Sequence, residues 1–174
     1  DEIKKIKQET GSELEVFVHG ALCVSESGLC LFSSFLGGKS ANRGMCTQAC
    51  RRYYTAEVPG GIKQGYYFSP CDLQLLEQIP GLIDAGVDSL KIEGRTKSLY
   101  YVSAVTKAYR NAIDDVMAGK IDDLHKYFLE LKKVGNRGYT TGFALGDNNG
   151  ESYSYDISKG LAGADFLCEF RAEE

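Results

Sequence analysis

Two periodicities divide the chain. Asp1 to Thr10 is polar, with Ile3 and Ile6 three apart, which predicts the end of an amphipathic helix stopped by Gly11. Glu13 to Ala21 carries Leu14, Val16, Phe17 and Val18 and reads as a buried strand, with His19 and Gly20 at its C-terminal end. Leu29 to Leu36 is apolar enough for either a short helix or an extended buried turn. Tyr53–Val58 and Gln64–Phe68 flank Pro59-Gly60-Gly61, a turn signal that predicts a hairpin. Ser69-Pro70-Cys71-Asp72 reads as a helix start: Ser69 as cap, Pro70 at the first helical position, Asp72 as capping-box partner. Leu73, Leu76 and Ile79 form its stripe, Pro80 interrupts it and Gly86 ends it.

Val87 to Ile92 predicts a second buried strand running into Glu93, Gly94 and Arg95. Ser98 to Met117 keeps helical spacing through Val102, Val105, Tyr109, Ala112, Ile113 and Val116, and Gly119 closes it. Ile121, Leu124, Phe128, Leu131 and Val134 mark a further helix ending before Gly135. Gly138 to Gly150 reads as loop, and Asp165 to Phe170 as a strand that stops near the chain end. Helix alternating with strand is the rhythm of α/β folds, and two strands joined through a crossover helix should lie parallel. Two strands alone cannot make a parallel sheet covered on both faces. The expectation is a fragment of an (α/β) TIM-like barrel with an inserted cysteine-rich loop and hairpin.

The 174 residues suffice for one domain with a core. No apolar run approaches the roughly 20 residues that span a bilayer. No basic-then-apolar leader opens the chain, so the expectation is a cytoplasmic protein with no membrane contact. A first residue of Asp1 rather than Met suggests a piece of a longer chain. The net charge of −4 argues against nucleic-acid binding by the whole surface. The charge is uneven, however. From Ser27 to Ala56 there is no acidic residue, while Lys39, Arg43, Arg51 and Arg52 are basic. Beside Tyr53 and Tyr54, this island either grips RNA phosphates and stacks a base, or is a solvated loop whose charge offsets thiolates.

The chemistry lies in and just before that stretch. Cys23, Cys30, Cys46 and Cys50 lie on one glycine-containing excursion directly after the first strand, so their thiols can converge. Converging soft thiolates suit an iron–sulfur cluster or zinc; the alternative is a set of buried inert thiols. Cys71, near the next element, competes for a ligand place, whereas Cys168 reads as core. His19 stands at a strand's C-terminal end, where it either donates a proton or binds an anion, or simply orients the cysteine loop. Glu93 and Arg95 end the other strand. There Arg95 offers a fork for a carboxylate or phosphate and Glu93 a base, or the two close the rim as a salt bridge. His125, between Leu124 and Phe128, reads as surface or structural. No HExxH pair and no nucleophile elbow occur, which leaves a metal-dependent peptidase little footing.

EVFVHGALCVSESGLCLFSS, NRGMCTQACRRYY, SPCDL and GVDSLKIEGRTKSLYYV together resemble the collagenase-like peptidase family U thirty-two, over roughly residues 13–143. The resemblance implies a barrel domain whose C-terminal part occupies residues 1–145, with residues 146–174 a linker and the start of a β-rich domain. It implies a [4Fe-4S] cluster on the cysteines. The implied activity is hydroxylation of tRNA or rRNA, or of the ubiquinone ring, with prephenate as a possible co-substrate and an accessory protein or a second copy as partner. The family's name implies the alternative, a collagenase-like metal-dependent peptidase. The catalytic candidates are then His19, Glu93 and Arg95. The RNA-binding candidates are Arg43, Arg51, Arg52 and Tyr53.

Overall fold

A computed structural model of the chain describes residues 1–146, 152–157 and 160. The expected strand at 165–170, Cys168 and nearly all of the expected second unit lie outside them. α1 (Glu2–Thr10) ends on Gly11, whose left-handed backbone lets its N–H reach Lys7 O at 2.9 Å. β1 (Glu15–Ala21) follows, then α2 (Phe32–Gly37), which settles the apolar stretch left open by the sequence as a short helix. β2 (Tyr54–Val58) and β3 (Gly61–Gly65) form the expected hairpin, with the second strand earlier than the sequence suggests.

The predicted helix start at Ser69 is not one. Asp72–Gln74 is β4, hydrogen-bonded antiparallel to β1 with His19 opposite Gln74 and Ala21 opposite Asp72. Ser69, Pro70 and Asp72 match a capping pattern but are all buried, and Asp72 forms an ion pair with Arg137 instead of capping a helix. Leu73, Leu76 and Ile79 do enter the core, but from a strand, a 3-10 turn and the start of α3 (Ile79–Asp84). Pro80 sits in the first turn of α3, where its missing N–H costs nothing.

β5 (Ser89–Ile92) pairs with β1 in parallel, as two strands joined through a crossover should, with Val16 beside Leu90. α4 (Leu99–Met117) is capped by Ser98, whose side chain accepts the Tyr101 N–H at 3.2 Å. α5 (His125–Leu131) is shorter than its apolar spacing implies, and β6 (Tyr139–Thr140) adds a short strand parallel to β4 inside the predicted loop. The sheet therefore runs β5-β1-β4-β6 and is mixed, not all-parallel. Among the described residues it is open, with no barrel closure.

α4 buries Tyr101, Val105, Ala108, Tyr109 and Ala112 against Val18, Leu75 and Leu76. This face is turned slightly from the sequence stripe, leaving Val102 partly exposed. Lys7 bonds Asp88 at 2.6 Å, and Asp88 accepts the Leu14 N–H at 2.8 Å, so the end of α1 is fastened to both parallel strands. Gly20 has φ +113°, and a Cβ there would lie 2.3 Å from Glu93 O. Only glycine lets the ends of β1 and β5 approach this closely. Among the described residues no helix is long and apolar enough to cross a membrane.

Candidate metal centre

The cysteine excursion leaves the C-terminal end of β1 and returns to the sheet through the β2–β3 hairpin. Side-chain bonds to backbone hold its loops. Ser33 Oγ, buried, accepts the Thr47 N–H at 3.1 Å. Asn42 Nδ2 donates to Cys30 O at 3.2 Å, and the Gln48 N–H donates to Cys46 Sγ at 3.3 Å. Gln48 turns the chain with a left-handed φ of 53°, which brings Ala49–Arg51 into a 3-10 turn. Tyr54 seals that turn by donating to Ala49 O at 2.8 Å. Phe32, Tyr54 and Phe68 pack ring to ring between the excursion and the hairpin.

Cys23 and Cys46 are exposed and Cys30 and Cys50 half-buried, all as free thiols. The Cys50 thiol is pushed up first by burial; Arg51 opposes this, and the charges of Cys23, Cys46 and Cys30 each add to it. Cys23, Cys30 and Cys46 thus each lie within electrostatic reach of Cys50. Among the described residues no group of three or more His, Cys, Asp or Glu side chains is gathered closely enough to hold a metal ion.

Cys71 stands apart. It is buried against Gly138, its N–H donates to Ser152 O at 2.7 Å, and burial and Asp72 push its thiol up while Arg137 and Arg51 oppose them. Cys23 also lines a cavity of about 350 Å³ with Leu22, Leu73, Leu75 and Phe143, free of charged side chains.

Arg51 is turned inward. Its Nη1 donates to Ser69 Oγ at 2.9 Å and Pro70 O at 2.6 Å, and its Nη2 donates to Leu22 O at 2.7 Å. By contrast Arg43, Arg52 and Tyr53 are exposed on the acid-free stretch.

Behind the excursion lies a buried polar layer. His19 is 1% exposed and caged by the rings of Tyr101, Tyr109 and Tyr139 at 5.4 to 5.9 Å. The Tyr109 hydroxyl donates to Val18 O at 2.7 Å and lies 3.5 Å from His19 Nδ1. Burial, with help from the Lys97 charge, lowers His19 to about 4, so the ring is neutral at neutral pH. Burial likewise raises Tyr101, Tyr109 and Tyr139. Buried Asp72 pairs with Arg137. Tyr101, Gln74 and Arg137 were invisible to motif reasoning; only the β4 register, which the capping-like pattern masked, brings Gln74 opposite His19.

Glu93 follows β5, and its N–H donates to His19 O at 2.8 Å. Arg95 is exposed and, among the described residues, its guanidinium has no partner. The rim salt bridge between the two is therefore not formed. His125 is exposed, 3.1 Å from Glu77.

A mixed α/β scaffold that carries a thiol-bearing excursion at the end of its central strand defines a class of protein built around that loop. Within this class the chain belongs to Peptidase family U32, whose family model matches residues 1–154. It is 46% identical over 163 residues to an uncharacterized protease of Methanocaldococcus jannaschii, covering 87% of this chain and 39% of that protein. It is 38% identical over 156 residues to the tRNA hydroxylation protein P1 of Bacillus subtilis, covering 83% of this chain and 37% of the relative. A 23S rRNA 5-hydroxycytidine synthase of Escherichia coli is 36% identical over 170 residues, 91% of this chain and 26% of the synthase. The chain thus spans less than half the length of these relatives. No solved structure matches it.

Proposed function

We propose that this chain belongs to an iron–sulfur-dependent enzyme that hydroxylates a base of tRNA or rRNA. The observation that carries the reading is that Cys23, Cys30 and Cys46 all lie within electrostatic reach of Cys50, on an excursion whose basic side chains outnumber its one acid, Glu26. Relatives named for tRNA hydroxylation and for 5-hydroxycytidine synthesis in rRNA support the substrate class. The four-stranded sheet is then part of an (α/β) barrel whose other strands belong to the remainder of such proteins.

Cys23, Cys30, Cys46 and Cys50 would hold a [4Fe-4S] cluster, with Cys71 left outside the ligand set. When bound, such a cluster supplies one-electron chemistry whose potential depends on nearby charge and hydrogen bonds. Arg43 and Arg52 face solvent, free to meet phosphate, and Tyr53, exposed though packed edge to face on Tyr66 at 5.1 Å, is placed to meet a base. Arg95, exposed beyond β5, is free to grip a small carboxylate co-substrate such as prephenate. His19 holds no proton on its second ring nitrogen to donate near neutral pH. It serves as a neutral wedge, and its O accepts the Glu93 N–H that sets the end of β5.

A peptidase reading, favoured by the relative named a protease, would need a nucleophile and a base. Cys23 is exposed, but His19 is sealed among tyrosines and shares no hydrogen bond with it, so no cysteine–histidine pair is assembled.

Anaerobic reconstitution of the intact gene product with iron and sulfide tests the centre. Wild type and Cys71→Ala should both take up iron and turn brown, whereas Cys50→Ala should not. A colourless wild-type protein would refute the cluster. Nucleoside mass spectra of RNA from cells with and without the gene test the substrate: a hydroxylated nucleoside should vanish on deletion.

A further inference from the structure

We propose that Arg51 is the positioning residue of the thiol site, its guanidinium fixing the Cys23 and Cys50 thiols relative to one another before any metal arrives. This rests on the reading of those thiols as cluster ligands. The geometry is specific. Arg51 follows Cys50 in the chain, its Nη2 bonds the carbonyl of Leu22, the residue before Cys23, and its Nη1 bonds the carbonyl of Pro70, the residue before Cys71. A third bond, to the buried Ser69 hydroxyl, completes the set. One planar group thereby ties backbone next to three cysteines, on three segments remote in sequence.

Nothing else described does this. Strand pairing holds β1 and β4 together, but it ends at Ala21 and Asp72, short of Cys23. The hairpin and the Phe32–Tyr54–Phe68 rings hold the far side of the excursion. Between them, the approach of the Cys50 turn to the Cys23 strand end depends on the Arg51 fork. Lysine could replace the charge but not three bonds in fixed directions. The guanidinium is half-buried and lies near the like charge of Arg137, so its three hydrogen bonds are what keep it in place. Groups that orient metal ligands from the layer behind them commonly govern metal affinity by about 10–100-fold.

The test uses the intact gene product, metal-free and reduced, with iodoacetamide alkylation of each cysteine followed by mass spectrometry. Arg51→Lys keeps the charge and Arg51→Gln removes it. Lys63→Gln, on the exposed hairpin strand, is the control. In Arg51→Lys, which keeps the charge that favours the Cys50 thiolate, Cys50 should alkylate several-fold faster than in wild type while Cys71 stays slow, and in both Arg51 variants iron retained against a chelator should fall by about tenfold or more. An unchanged Cys50 rate in a folded Arg51→Lys protein would overturn the assignment. Should both Arg51 variants fail to fold by circular dichroism, Ser69→Ala carries the test. It removes one of the three acceptors, and faster Cys50 alkylation supports the role whereas the wild-type rate refutes it. Because alkylation reads the thiols directly, a wild-type protein that binds no iron would sink the cluster reading and still leave this question answerable.

Discussion

His19 illustrates how environment decides what a residue can do. Its residue type and its place at a strand end invite an acid–base role, yet burial among three tyrosines lowers it to about 4. An unfolded chain would protonate the same ring near 6.5. Between those values the unfolded state binds a proton that the folded state refuses, so stability is full above about 6.5 and falls as the pH drops towards 4. The loss approaches about 3 kcal/mol, with burial as the cause. Urea titrations at pH 7.5 and 5 should show the wild type weakened at the lower pH and His19→Gln much less pH-dependent across that interval. An equal response in both proteins would place the sensitivity elsewhere.

At the scale of elements, the junction of β1 with β5 depends on the absence of one methyl group. Gly20→Ala combines an unfavourable positive φ with a Cβ pressed onto Glu93 O, and nothing there is a flexible side-chain end. Destabilisation of at least about 1 kcal/mol should appear in thermal or urea unfolding, and a neutral result would mean that the strand ends can part. The elements themselves were unevenly legible. α1, β1, the hairpin, β5 and α4 followed from periodicity, glycine stops and Ser98, because each is specified by its own residues. β4 was misread because Ser-Pro-x-Asp is a capping pattern only where those side chains reach helix N–H groups. Here Arg51 donates to Ser69 and Arg137 pairs with Asp72, and both partners are distant in sequence. The site divided the same way. The four loop cysteines were visible from their placement, whereas the inward Arg51 and the Gln74–His19 pairing required the β4 register.

For the molecule as a whole, charge is divided between an acidic body and an excursion that carries no acidic residue from Ser27 onwards. RNA binding through that excursion would release counterions, with affinity falling as salt rises. Replacing the exposed Lys39, Arg43 and Arg52 together by glutamine should make the log–log salt dependence shallower by about 2, at roughly 0.7 per lost single-strand contact. Filter binding or fluorescence anisotropy across a salt series would measure it, and an unchanged slope would exclude these residues from the RNA surface.

The β2–β3 hairpin belongs to a two-stranded ladder of its own, sharing no strand pairing with the four-stranded sheet and joined to the excursion largely through aromatic rings. Its exposed tip at Pro59, Gly60 and Gly61 is therefore a place where the chain can grow or shrink without cost to the sheet. Lengthening or shortening that turn by a few residues should leave the unfolding of the four-stranded sheet unchanged.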